Sequence, residues 1–288
     1  MTPNLSICQK SWDNRLQKWL KPGLTTQNRC GKAMIIVKVQ GGAGNQMFQA
    51  SHVYASLRSK SQCVVLYTGT LSRYQEERDL FQPAWEMFDA HRSASMSMRL
   101  ILKLSRLSDA FDRVLRFFNI HCVDGYFQDQ IDLEYASQVK TVIERDTAPI
   151  TKFQGVIHCR GGDYLAFPND TVYWQISLDD YQAILPESLT QVWAVIGNHE
   201  YFIKAMSTQG SRVVHGTIQE DLATMAGSER VVCSNSTFSL WGAAFCLLNG
   251  GSAAVPARYY IDRGLSNPFD ALAHHFTENV EYFGGDHA

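Results

Sequence analysis

The chain has 288 residues, of which 45% are apolar and 19% are charged, and its formal net charge is −2 at pH 7. A chain of this length and apolar content can bury a large core, which excludes disorder as its main state and predicts two domains. So small a net charge offers no general attraction for nucleic acid or acidic membranes, so an anionic ligand must bind at a local site.

Residues 1–33 are polar and largely aperiodic, and we interpret them as an N-terminal extension or a translation-start artefact. The seven cysteines are an odd number without C-x-x-C spacing, which predicts reduced thiols and a cytoplasmic protein. No run of about 18 apolar residues occurs, so we expect no transmembrane segment.

Strand and helix patterns alternate along the remaining chain. A strand over 34–39 precedes a glycine turn and a helix, a second strand covers 63–67, and mainly helical patterns follow over 71–120. Further strands are predicted at residues 139–145, 153–159, 192–196, 213–214, 231–233 and 253–255. The alternation predicts an α/β fold with parallel sheets, divided into domains 34–150 and 151–288 that face one another across a ligand cleft.

The segment MRLILKLSRLSDAFDRVLRFF is an amphipathic helical pattern. It is compatible with peripheral contact to a membrane surface. Packing of the apolar side on the core, with a solvated basic face, predicts the same pattern, and we favour that interpretation. Its cations are Arg99, Lys103, Arg106, Arg113 and Arg116.

The stretch GGAGNQMFQ fails the dinucleotide-binding pattern G-x-G-x-x-G. Met47 occupies the third glycine position, and no acidic residue ends the next strand to bind a ribose. What remains is a turn with Gly42 and Gly44 whose backbone can approach a ligand closely, followed by a helix with Asn45 and Gln46 in its first turn. A tight turn without a ligand explains these residues equally well.

The stretch HCRGGDY follows a predicted strand, so its side chains lie at a carboxyl end, where sites in open sheets form. Arg160 keeps its charge and offers a planar fork of donors to phosphate. His158 could hydrogen-bond a base or sugar. A surface ion pair of Arg160 with Asp163 is the structural alternative.

The stretch SNSTFSLWGAAF places four hydroxyls, on Ser234, Ser236, Thr237 and Ser239, around a helix start. Free backbone N–H groups and hydroxyls together form an anion pocket, whereas an ordinary N-cap needs only one hydroxyl.

Two further patterns concern capping and metals. Upstream, Thr217 and Glu220 have capping-box spacing, which predicts a structural role. No D-x-D pair, H-E-x-x-H or Cys/His cluster appears, so no metal site is expected.

The three stretches, in this order and spacing, resemble the motifs of the α1,2-fucosyltransferases, glycosyltransferase family 11, and Asp124-Gly-Tyr-Phe-Gln128 is a weaker fourth match. The resemblance covers residues 34–256. It implies a GT-B-like pair of Rossmann-type domains, GDP-L-fucose as donor, a terminal β-galactoside as acceptor, inversion at the anomeric carbon, and neither metal nor other cofactor.

The resemblance also implies residue roles. Arg160 would hold the β-phosphate, Asn45 would face the reacting centre from the first domain, and Asp163 is one positional candidate for a general base, with Asp170 and Glu200. The residues assigned to the donor are Gly42, Gly44, His158, Arg160, Ser234, Asn235, Ser236, Thr237 and Phe238.

Two positions depart from the family pattern. Gly161 replaces the second arginine of H-x-R-R-G-D-Y, and residues 196–200 (IGNHE) replace an F-S-D-D-like stretch. A GDP-sugar or glycan-binding protein that has lost turnover is therefore the alternative, and a nicotinamide oxidoreductase is a more distant one.

Overall fold

The computed structural model describes residues 33–39, 41–56, 63–69, 81–92, 96–117, 120–123, 125, 127–128, 130–148, 151–161, 165, 172–262 and 265–284. In chain order these residues form β1 (Ala33–Val39), α1 (Ala43–Ser56), β2 (Cys63–Gly69), α2 (Gln82–Trp85), β3 (Asp89–Arg92), α3 (Met96–Leu107), α4 (Asp109–Phe117), β4 (Ile120–Val123), α5 (Leu133–Asp146), β5 (Gly155–Cys159), α6 (Leu178–Ile184), β6 (Trp193–Gly197), α7 (Glu200–Thr208), β7 (Arg212–Val213), α8 (Ile218–Ala226), β8 (Arg230–Val232), α9 (Thr237–Leu248), β9 (Ser252–Pro256), α10 (Asp270–His275) and β10 (Val280–Phe283).

Contacts divide the chain into two compact units. The first takes the described residues up to Lys38 and those within Ser59–Gly69 and Phe88–Asp124, and the second takes the rest. Each unit is built around its own sheet, so the α/β fold with parallel sheets is confirmed.

The first unit contains a four-stranded sheet in the order β3-β2-β1-β4. The pairs β1–β4 and β2–β3 are parallel. Helices α3 and α4 pack beside β4, where Ile36, Leu102, Leu115 and Ile120 form a buried cluster. The apolar strands supply one side of this small core and the two helices supply the other.

The second unit contains a six-stranded parallel sheet in the order β10-β9-β8-β5-β6-β7. Its central strand β5 is buried throughout, as expected for a parallel sheet covered on both faces. Ile157, Val195 and Val232, from three neighbouring strands, share one core cluster. The described residues of the stretches GGAGNQMFQ, HCRGGDY and SNSTFSLWGAAF all belong to this unit.

Helix α9 is apolar around its whole circumference, as expected of a helix inside a core. Trp241 is completely buried, and its ring meets Phe48 of α1 and Tyr135 of α5 edge-on, at centroid distances of 5.1 and 5.8 Å. These contacts fix the positions of α1 and α9 relative to each other within the second unit.

The strand predicted at residues 139–145 is wrong, because these residues belong to α5. Asp132 caps this helix by accepting hydrogen bonds from the amides of Glu134 and Tyr135. Val139 and Ile143 are buried four residues apart on its inner face, so helical spacing outweighs their β-branched chemistry.

Other sequence predictions differ in smaller ways. The predicted strands beginning at 34, 63, 153, 192, 213, 231 and 253 each correspond to an observed strand, whereas β3, β4 and β10 were not predicted. The predicted domain boundary at residue 150 stays a prediction, although contacts group α1, α2 and α5 with the six-stranded sheet. The predicted extension, residues 1–33, lies almost entirely outside the described residues.

Among the described helices, none has the length and apolar character needed to cross a membrane.

Candidate functional site

A cavity of about 490 Å³ lies in the second unit, at the carboxyl ends of β5 and β6 and the first turns of three helices. Its volume falls in the range of small-molecule sites. It is lined by Gly41, Gly42, Ala43, Gly44, Asn45, Gln128, His158, Arg160, Tyr173, Gly197, Asn198, Ile218, Asp221, Ser236, Thr237, Phe238 and Tyr260.

The glycine turn forms one wall of this cavity. Gly41 has φ of +70°, a conformation that side chains disfavour, and α1 begins directly after the turn. A Cβ on Gly44 would lie 2.5 Å from the amide nitrogen of Phe238 and 2.7 Å from the Thr237 hydroxyl. Glycine at position 44 therefore lets the N-terminus of α1 pack directly against the N-terminus of α9.

The start of α9 forms the facing wall. Ser236 is the N-cap, because its hydroxyl accepts a hydrogen bond from the Phe238 amide. Thr237 also lines the cavity, and no hydrogen bond of its hydroxyl occurs among the described residues. The free N–H groups of a first helical turn carry partial positive charge, so this wall favours an anion.

Two of the four hydroxyls have structural roles instead. The Ser239 hydroxyl accepts a hydrogen bond from the Ser234 amide, at 3.1 Å. The Ser234 hydroxyl lies 2.7 Å from Nδ1 of His158, and both groups are buried. Ser234 therefore orients the histidine ring rather than lining the cavity itself.

His158 and Arg160 lie at the carboxyl end of β5 and both line the cavity. Burial, with Arg160 nearby, lowers the pKa of His158 to about 3. The imidazole is consequently neutral near pH 7, and Ser234 occupies only one of its nitrogens. A neutral ring beside a fixed guanidinium can hydrogen-bond a polar ligand without adding a second charge.

Gly161 and the segment of residues 196–200 are in contact with each other. The Gly161 amide donates a hydrogen bond to Oδ1 of Asn198, at 2.8 Å. A Cβ on Gly161 would lie 3.0 Å from the His199 Cα. A larger residue at 161 would therefore need a small shift of residues 198–199, so Gly161 and this segment fit each other closely.

Gln128 connects two other cavity-lining side chains. Its amide Nε2 donates to Oδ1 of Asn45, at 2.9 Å, and its Oε1 accepts from the Tyr260 hydroxyl, at 3.0 Å. Burial, together with Tyr173, raises the pKa of Tyr260 to about 12, so the hydroxyl stays protonated near neutral pH. The network turns the NH₂ group of Asn45 away from Gln128 and makes it available as a donor.

Asp221 lies in the first turn of α8 and lines the cavity. Its Oδ1 is buried and has no hydrogen-bond partner among the described residues. Burial, with Glu220 beside it, raises the pKa of the Asp221 carboxyl to about 7. Such a carboxyl is suited to accept hydrogen bonds from N–H groups of a bound ligand.

The structure brings together most of the predicted site residues. Around the cavity it places Gly42, Gly44, Asn45, His158, Arg160, Ser236, Thr237 and Phe238. Asn45 belongs to the second compact unit. Ser234 and Asn235 do not line the cavity, and the Asn235 side chain donates to the backbone carbonyl of Trp174.

The sequence offers three positional candidates for a general base, Asp163, Asp170 and Glu200. Asp163 and Asp170 lie outside the described residues. Glu200 is exposed at the start of α7 and does not line the cavity.

Sequence reasoning missed several cavity residues, notably Tyr173, Asn198, Asp221 and Tyr260. Asp221 directly follows the predicted capping box, which is present, since Thr217 and Glu220 exchange hydrogen bonds. That local role concealed the neighbouring carboxylate. Among the described residues, no group of three or more His, Cys, Asp and Glu side chains is arranged to hold a metal ion.

Comparisons with known proteins add little. No family model matches the chain and no curated protein matches it. A solved structure of Escherichia coli ADP-heptose LPS heptosyltransferase II is similar at 10% identity, with 89% of this chain and 91% of that chain covered and a TM-score of 0.42. A likeness at this level does not define the activity or the domain arrangement of the chain.

Proposed function

We propose that the cavity is the donor site of a GT-B-like, metal-independent glycosyltransferase that transfers L-fucose from GDP-L-fucose to the 2-hydroxyl of a terminal β-galactoside. The observation that carries the proposal is the convergence of three separated stretches on one cavity: the glycine turn, the end of β5 and the start of α9. They are the stretches whose sequences resemble the α1,2-fucosyltransferases.

Charge and hydrogen-bonding groups support a diphosphate at the two helix starts. Arg160 supplies a permanent cation, and the first turns of α1 and α9 supply backbone N–H groups. Together they can bind two phosphates without a metal ion. The neutral ring of His158, held by Ser234, adds a directional contact beside them.

Asp221 supports a purine with N–H groups on its pairing edge. A guanine presents two adjacent N–H donors, and an ionised carboxylate can accept both. Asp221 is a half-buried carboxylate of the cavity, and its buried Oδ1 lacks a partner among the described residues. We therefore assign recognition of the base to Asp221.

The reaction forms one bond and breaks one. The acceptor 2-hydroxyl oxygen bonds to C1 of fucose while the bond from C1 to the β-phosphate oxygen breaks, and inversion follows from attack opposite GDP. The hydroxyl proton leaves to a base or to solvent. Arg160 and the α9 amides stabilise the negative charge that grows on the departing phosphate, which is how preorganised donors accelerate such a step.

The decisive experiment measures release of GDP from GDP-L-fucose with and without a terminal β-galactoside, in the presence and absence of a chelator, followed by determination of the linkage formed. We expect acceptor-dependent release that chelation leaves intact, and an α1,2 product. Binding of the nucleotide without acceptor-dependent release would instead support the alternative of a binding protein, which the glycine at 161 favours.

Arg160→Ala tests the central residue. Loss of one preorganised donor costs on the order of 10² to 10³ in kcat, while the fold should persist because Arg160 lies at the cavity surface. The matched control is Arg212→Ala, an exposed arginine of β7 outside the cavity. Turnover by Arg160→Ala close to that of the control would contradict the assignment.

A further inference from the structure

Helices α3 and α4 of the first unit expose an apolar face that the proposed function does not use. Both helices already cover the core with one side, through Leu102 and Leu115, which are 4% and 8% exposed. Core packing therefore explains only part of the amphipathic pattern. The α3–α4 apolar face consists of Leu100, Leu104, Leu107, Val114 and Phe117, which are 56%, 38%, 72%, 50% and 73% exposed.

These residues form regular stripes. In α3, Leu100, Leu104 and Leu107 have i, i+4, i+7 spacing, so they share one side of the helix, away from Leu102. In α4, Val114 and Phe117 are three residues apart on a second outward side. Single exposed apolar residues are ordinary, but exposed stripes on two neighbouring helices indicate an interaction surface.

Charge identifies the partner. The chain as a whole is slightly acidic, yet residues 96–117 contain five Lys or Arg and two Asp. One of these acids, Asp112, forms an ion pair with Arg116 at 2.6 Å. Lys103 and Arg113 are exposed. Apolar stripes with flanking cations are typical of helices that lie on membrane surfaces.

We propose that the α3–α4 apolar face binds the surface of an anionic lipid bilayer. The helices would lie in the plane of the interface, with the exposed leucines among the acyl chains and the cations at the headgroups. A hydrogen bond from the Ser105 hydroxyl to Asp112 links the two helices at 3.0 Å, so they present the face as one unit.

The test is co-sedimentation of the full chain with phosphatidylcholine vesicles that contain about one third phosphatidylglycerol, compared with pure phosphatidylcholine. We expect salt-sensitive binding to the anionic vesicles and far weaker binding to the neutral ones. The triple variant Leu100→Glu, Leu104→Glu, Leu107→Glu should reduce binding by more than about 100-fold. Lys103→Gln with Arg113→Gln should reduce it by about 25-fold, at about fivefold per cation.

The control is Val192→Glu with Tyr201→Glu, which changes two exposed apolar residues of the second unit, 49% and 65% exposed. It should bind vesicles like the unchanged chain. Absence of binding to anionic vesicles, or equal losses in the control and the triple variant, would overturn the proposal. A chain that self-associates through this face, with no vesicle binding and a monomeric triple variant, would show that a second copy is the partner instead.

Discussion

The helices α1 and α9 both begin at the cavity, yet they contribute to it in opposite ways. The start of α1 contributes glycines. Because Gly44 has no side chain, α1 can approach the backbone of Phe238, with which a Cβ would collide. The start of α9 contributes hydroxyls, and the Ser236 hydroxyl caps the helix by accepting a hydrogen bond from the Phe238 amide. Proximity on one side and capping on the other together hold the two helix ends at one cavity.

This difference also explains why the role of one stretch is easier to predict from the sequence than the role of the other. In a hydroxyl-rich helix start, the residue types themselves indicate capping and hydrogen bonding. A glycine turn indicates only that another group approaches the backbone closely. Here that group is the start of α9, which lies nearly 200 positions away in the chain.

Among the changes at these helix starts, the substitution Gly44→Ala should have the largest effect on stability and on GDP affinity. Its methyl group would lie 2.5 Å from a backbone nitrogen of α9, which cannot move aside as a flexible side chain could. We expect a loss of about 1 to 3 kcal/mol in the free energy of unfolding, because overpacking at a rigid contact has that cost. Denaturant titration measures it, and GDP affinity should fall with it because the two helix starts separate.

Gly227→Ala is the matched control for that variant. Gly227 ends α8 with φ of −83°, and an added Cβ would approach no atom closer than 3.4 Å. Its free energy of unfolding should stay within about 0.5 kcal/mol of the unchanged chain. Equal stability of the two alanine variants would mean that α1 and α9 do not pack as closely as described.

A third helix start, that of α8, carries Asp221 and can be tested through the pH dependence of nucleotide binding. The carboxyl of Asp221, with its pKa raised to about 7, is mostly protonated at lower pH and cannot then accept both N–H donors of a guanine. GDP affinity should therefore rise by about tenfold from about pH 6 to about pH 8. His158 contributes nothing to this change, because its pKa of about 3 keeps it neutral throughout.

Asp221→Asn should remove most of that pH dependence and should weaken GDP at the higher pH. The stability of the empty protein supplies an independent check on sign. A carboxyl with a raised pKa favours folding at low pH and loses that contribution as the pH rises toward 7. The Asn variant should therefore gain stability over the unchanged chain at about pH 8 and not at about pH 4. GDP affinity independent of pH would exclude a role for Asp221 in binding the base.

The sequence predicted those parts of the fold and site that depend on neighbours along the chain. Strand and helix alternation, the glycine turn before α1 and the cap at Ser236 all rest on local spacing. The segment at 139–145 was misassigned because its β-branched residues suggest a strand, whereas the inner face of α5 becomes visible only once its partners α8 and α9 are known.

The missing site residues share another cause. Asp221 and Tyr260 reach the cavity through tertiary packing, and neither stands in a pattern that distinguishes it from a surface helix residue or a loop residue. Ser234 shows the converse case, since its motif suggested ligand contact, yet the buried histidine beside it takes its hydroxyl. Spacing along the chain identifies the stretches that meet, and packing decides which atoms face the cavity.

The smallest expected effect concerns Gln128, which lines the cavity and orients Asn45 of α1. Gln128→Ala removes the acceptor for Tyr260 and the donor that orients Asn45. Net hydrogen bonds of this kind contribute about 0.5 to 1.5 kcal/mol each, so kcat should fall by about three- to tenfold. GDP affinity should hardly change, because the groups proposed to bind its phosphates stay in place.

Two partial replacements separate positioning from general damage to the fold. Tyr260→Phe removes only the bond from Tyr260, so Asn45 stays oriented and the loss in kcat should be smaller than in Gln128→Ala. Gln128→Glu keeps an acceptor for Tyr260 but replaces the donor to Asn45 with a second acceptor, so it should resemble Gln128→Ala. If Tyr260→Phe were as impaired as Gln128→Ala while Gln128→Glu were normal, the orientation of Asn45 would not be what Gln128 provides.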